Sequence, residues 1–180
     1  MKRRLALRAA PLAGALLWGA LAGGRALAQA PAIDKADLVK VSVIEKVVRF
    51  IDWPPMREAQ FFLCAPAEHP QMSALKAYYE NVTIGDKPVS VQAVKRGDRV
   101  PCRVLFMAPA DLSQPERIRG HLERGQTLLI AEGADAAAKG VHIAFYIDAG
   151  RLKLEVNRKS LETSGLKASF RLLEVARVVD

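Results

Sequence analysis

The chain has 180 residues, 51% hydrophobic and 26% charged, with a formal net charge of +8. That length suffices for one domain with a full core. The charge is lopsided: residues 1–28 hold five basic side chains (Lys2, Arg3, Arg4, Arg8, Arg25) and no acidic one, so 22 basic against 19 acidic residues leave +3 for the rest. A nucleic-acid partner read from net charge therefore loses its support.

Residues 1–28 read as a secretory signal peptide. A positive start is followed by an apolar run over 9–22, broken by Pro11, and by Ala26-Leu27-Ala28, with cleavage after Ala28 or, second, after Ala30. The run is shorter than the ~18–20 residues of a membrane span, and no Cys follows it to carry a lipid. An exported chain meets an oxidising compartment, so Cys64 and Cys102 are expected to form one disulfide. Their spacing, with no nearby His, fits no zinc pattern.

From Asp34 two periodicities compete. Val39, Val41 and Val43 alternate as in a strand, whereas Leu38, Val41, Ile44, Val48 and Ile51 fall at helical spacing behind a possible Asp34 N-cap. The stretch is too long without a turn residue for a strand, which predicts a helix over about 35–52. Phe50-Ile51-Asp52-Trp53-Pro54-Pro55 stops it, because Pro55 has no N–H and Pro54 pushes Trp53 out of the α region. Two readings of this corner stand: Trp53 closes the edge of the core, or the corner presents its rings to a partner.

Further on, residues 61–65 are almost wholly apolar, as in a central strand covered on both faces. A helix over 72–79 follows, then a small strand near 82–84, a half-buried strand through Val89, Val91 and Ala93, and a turn at 96–98. An apolar strand at 102–108 precedes a helix over about 113–123. A third apolar strand spans 126–131. Strands at 141–147 and 151–156 flank Asp148-Ala149-Gly150, which reads as a hairpin with a three-residue loop. Helices over 157–164 and 168–178 end the chain. Strand–helix alternation argues an α/β layered fold: one flavodoxin-like domain over 33–179, a mostly parallel sheet with a C-terminal hairpin edge, and helices on both faces. In that order the first and third strands, carrying Cys64 and Cys102, are neighbours.

Chemical motifs are absent where they would be expected. No Gly-x-Gly-x-x-Gly follows the first strand, and there is no phosphate loop or nucleophile elbow. His69, His121 and His142 lie far apart without a second metal ligand at helical or hairpin spacing. No catalytic residue, metal or cofactor is expected. Positive charge gathers near the C-terminus, where Arg171 either snorkels or pairs with Glu174, or contacts an anion or acidic partner.

The segments Phe50…Trp53-Pro54, Glu155-Val156-Asn157, and Gly165-Leu166-Lys167-Ala168-Ser169-Phe170-Arg171-Leu172-Leu173 taken together resemble the YfiR-type family of bacterial periplasmic regulators, over essentially the whole mature chain. The resemblance implies a Rossmann-like domain with no catalysis of its own. It implies repression of an inner-membrane diguanylate cyclase by contact with its periplasmic sensor region, relief by an outer-membrane lipoprotein, and homodimers. The binding candidates it offers are Phe50, Trp53, Pro54, Asn157, Ser169 and Arg171. The chain departs from the family in Asp52, in His142-Ile143-Ala144, in Ser169-Phe170 and in having one cysteine pair. The alternative reading is a small-molecule sensor for an anionic metabolite, held in the crevice at the C-terminal strand ends and coupled to another receptor such as a histidine kinase.

Overall fold

A computed structural model describes residues 33–95, 98, 100–113 and 126–180. The leader, most of the turn at 96–98 and nearly all of the helix expected over 113–123 lie outside the described residues. Residues Ile33–Asp180 form one compact unit.

Helix α1 (Lys35–Val48) starts where expected: the Asp34 carboxylate accepts the Ala36 N–H at 3.0 Å. Val41, Val43, Ile44, Val47 and Val48 are its buried face. The helix stops at Val48 rather than at 52. Residues Ile51–Asp52 instead form a strand, β1, antiparallel to β9 (Lys167–Ala168). The apolar period could be followed past Val48, but the backbone of 51–52 finds its partner more than a hundred residues away.

Strands β2 (Phe61–Pro66), β4 (Lys87–Val94), β5 (Val104–Met107), β6 (Leu128–Glu132) and β7 (Ile143–Asp148) are parallel in the order β4-β2-β5-β6-β7. This is the flavodoxin-like order, with β2 and β5 adjacent. Helix α2 (Met72–Tyr79) connects β2 to β3 (Thr83–Ile84), an antiparallel edge on β4. At the other side β8 (Arg151–Asn157) pairs antiparallel with β7. Asp148 pairs with Arg151, so the hairpin loop is two residues, Ala149-Gly150, not three. Both have positive φ, 47° and 74°, the primed-turn geometry that matches strand twist.

The C-terminus corrects the expected helix over 168–178. Only α4 (Phe170–Val175) is helical, and Arg177–Val179 form β10, parallel to β8 at the sheet edge. Val178 and Val179 are β-branched, and β8 offers them an unfilled edge; tertiary pairing overrides the short helical pattern. Before it, α3 (Arg158–Thr163) runs as expected.

The sheet separates two cores. On one face α1, α2, Leu161 of α3 and Leu172 of α4 cover Phe61, Leu63, Val104, Phe106, Leu128, Ile130, Ile143, Phe145 and Val156. On the other, Cys64, Leu105, Met107, Leu129 and Ala144 meet Ala136 and Ala137, with Leu112 packed against them. Cys64 and Cys102 are bonded there, with their Cα atoms 5.7 Å apart.

Candidate functional site

The corner after α1 is built inward. The Trp53 indole N–H donates to the Val48 carbonyl at 3.1 Å, satisfying an acceptor that the last helical turn leaves open. The ring meets Phe61 edge to face at 5.4 Å and packs on the first core. Trp53 thus closes this domain's own core, and Pro54 beside it is half-buried.

Asn157 also has internal work. Its side-chain oxygen caps α3 through the Ser160 N–H at 2.8 Å, and its amide donates to the Ala137 carbonyl at 3.0 Å. Ser169 caps α4, accepting the Leu172 N–H at 3.4 Å, while its own backbone N–H donates to the Phe50 carbonyl at 2.8 Å. Of the six candidates, the structure brings Phe50 and Arg171 to one concave surface, with Ser169 behind them. Trp53, Pro54 and Asn157 do not line it.

That surface is a groove of about 380 Å³ between α1, β8 and α4. Val43, Lys46 and Val47 recur at helical spacing on α1, with Phe50 in the turn just after it; Leu152 and Leu154 alternate on β8; Arg171, Leu172, Glu174 and Val175 come from α4. The physical origin is simple. Leu152, Leu154 and Val156 share one face of β8, and only the inner end of that row is fully covered. Leu152 is 43% exposed, its cross-strand partner Ile147 59%, and Val175 72%. The sheet outruns its helical cover, so the apolar face continues into solvent.

The charges at its mouth differ from their neighbours. Arg49 is consumed by Glu45 at 2.7 Å and by the Thr83 carbonyl at 3.0 Å. The Tyr78 hydroxyl, then Arg49, hold the Glu45 carboxyl below its usual range. Lys46 and Arg171 form no ion pair among the described residues. The sequence reading missed Lys46, Leu152, Leu154 and Val175. The one available signal was the leucine alternation of 152 and 154 beside an exposed hairpin tip.

The buried histidines serve the fold. His142 Nδ1 accepts the Leu129 N–H at 3.0 Å, and its Nε2 lies 2.9 Å from the Ser164 hydroxyl. Burial drives its pKa down to about 4. His69 lies against the Phe106 ring at 4.4 Å, accepts the Gln71 N–H at 3.2 Å, and has its pKa lowered by burial. Around it, at the C-terminal strand ends, stand Asp37, Asp111 and Glu132, with Lys40 paired to Glu132 at 2.8 Å. Glu155, fully buried, is bonded by Arg177 of the edge strand. No metal-binding group of three or more His, Cys, Asp or Glu occurs among the described residues.

The described residues thus form a flavodoxin-ordered α/β domain with an open apolar groove. The sequence matches the YfiR/HmsC-like family over residues 37–177, and the chain belongs to that family. Membership places it in a regulatory setting linked to cyclic-di-GMP signalling. Comparison with curated proteins finds no match.

Proposed function

We propose that the protein is an exported, periplasmic regulatory binding protein that controls an inner-membrane diguanylate cyclase by direct contact. The carrying observation is the uncovered apolar surface around the groove. Among the described residues the exposed large hydrophobics are Ile33, Val39, Phe50, Ile147, Leu152, Phe170, Val175 and Val178; Phe50, Leu152 and Val175 line the groove, and Ile147 lies across the hairpin from Leu152. Contiguous exposed apolar patches mark contact sites more often than they mark nothing. Cleavage of the leader after Ala28 and the single disulfide fit an oxidising compartment, where the partner's sensor region would lie.

The anionic-metabolite reading draws less support. Among the described residues, Glu132 at the end of β6, Asp111 after β5 and Asp37 of α1 stand around His69, and Lys40 is already paired with Glu132. Carboxylates repel an anion there. His142 gives catalysis no support either, since both its ring nitrogens are committed to structural bonds.

The test is reconstitution. A cyclase encoded beside this protein, in membranes, is assayed for cyclic-di-GMP synthesis with and without the purified mature protein. Synthesis should fall on addition, and Leu152→Glu should relieve the fall while leaving the melting temperature unchanged. Equal synthesis with and without wild-type protein overturns the reading.

A further inference from the structure

The groove has the composition of a ligand site as well as of a contact surface. Its volume, about 380 Å³, lies in the range of small-molecule pockets. Its walls are Val43, Val47, Phe50, Leu152, Leu154 and Leu172, with no polar side chain between them. The polar members of its lining are Lys46, Arg171 and Glu174, all three exposed. Two cations that form no ion pair among the described residues, beside an apolar slot, present one chemical pattern: a long apolar body with a negative end.

We propose that this groove binds a single-chain anionic amphiphile, of the fatty-acid class, with its tail along β8 and its carboxylate between Lys46 and Arg171. A polar solute would leave the walls without apolar contact. A cationic amphiphile would meet two unpaired like charges. Glu174 opposes the carboxylate from one side, so it limits affinity and its removal strengthens binding. Arg171 is better suited than Lys46 to hold the head group, since its planar fork can bond both carboxylate oxygens.

A regulatory consequence rests on the function proposed above. The tail would cover Phe50 and Leu152, the same residues that the cyclase would contact. Occupancy and docking then exclude each other, and the amphiphile releases the cyclase.

Two measurements separate the ligand from its consequence. Laurate, dodecyltrimethylammonium and monolaurin share a tail and differ in head charge. Each is titrated by calorimetry into the mature protein, below its micelle concentration. Laurate should bind saturably at one site per chain, and the other two about tenfold more weakly or not at all. Leu152→Glu should abolish laurate binding. Lys46→Gln with Arg171→Gln should weaken it by about three- to tenfold, as expected of partly exposed ion pairs. Glu174→Gln should strengthen it, and Lys167→Gln, outside the groove, should leave it unchanged. Circular dichroism and melting of each variant separate lost binding from lost fold. Absence of saturable laurate binding, equal binding of the three heads, or indifference to the Leu152 and Lys46/Arg171 changes overturns the proposal. In the reconstituted assay, laurate should restore synthesis. Intact binding with unrelieved repression refutes the regulatory consequence and leaves the site standing; absent repression refutes the cyclase reading alone.

Discussion

His142 makes the fold sensitive to acid from within. Its Nδ1 accepts a backbone N–H and cannot also carry a proton without breaking that bond. The native pKa is lowered to about 4 from an ordinary 6.5. Between those values the unfolded chain takes up a proton that the native protein refuses. Stability is therefore full above about pH 6.5 and falls as pH drops toward 4, by on the order of 3 kcal/mol for this one group. His69, whose pKa burial also lowers, steepens the fall in the same direction. Urea unfolding at a series of pH values should show the midpoint sliding down through this window, and His142→Gln should flatten the slope. Trp53 gives a second residue-scale expectation. Trp53→Phe loses the bond to Val48 and costs about 1 kcal/mol, while Trp53→Ala also loses the Phe61 contact and costs about 3 kcal/mol. Because the ring faces inward, folded protein of either variant should repress a cyclase like wild type, which dose–response curves corrected for folded fraction would check.

At the scale of elements, α4 is the instructive one. It has six residues, one buried side chain, Leu172, and a serine cap. A helix so short has little stability of its own. Ser169→Ala should cost about 1 kcal/mol, and because α4 is a groove wall it should also weaken docking, as read by titration of the cyclase. Reading the sequence here as a helix over 168–178 failed for a physical reason. Ser169 looked like an interior position, and the strand character of Val178 and Val179 depends on an edge of β8 far away in the chain. The same applies at residue 51, whose strand partner is Ala168. The central strands were legible because strands buried on both faces are wholly apolar, as at 61–65 and 104–107. The pairing of Cys64 with Cys102 was legible from compartment and strand order together. Of the six binding candidates offered by the resemblance, Phe50 and Arg171 line the groove. The groove itself was not legible, since it arises from the length by which β8 exceeds its cover, and that is set by three-dimensional packing.

For the whole molecule, the disulfide joins β2 to the segment just ahead of its neighbour β5, and its two cysteines are 38 residues apart in sequence. In the chain-entropy account, closing that loop in the unfolded state stabilises the native protein by roughly 3–4 kcal/mol. The double change Cys64→Ala with Cys102→Ala should lower stability by that amount in urea titrations, and reduction of the wild type should add the mass of two hydrogen atoms. A wild-type mass indifferent to reductant would contradict the bond. The groove lies on the first core's side of the sheet, the disulfide in the second. Losing the bond should therefore weaken the scaffold without reshaping the walls.

The tie between Phe50 and Ser169 has one more consequence. One wall of the groove belongs to the first helix of the domain and the other to its last, and the small β1–β9 sheet fastens them together. A chain emerging N-terminus first, from ribosome or translocon, can assemble most of its sheet before residue 167 appears, yet it has no groove until α4 arrives. The groove is thus the last feature the fold completes. On the function proposed above, a truncated or half-delivered copy would lack the docking surface altogether.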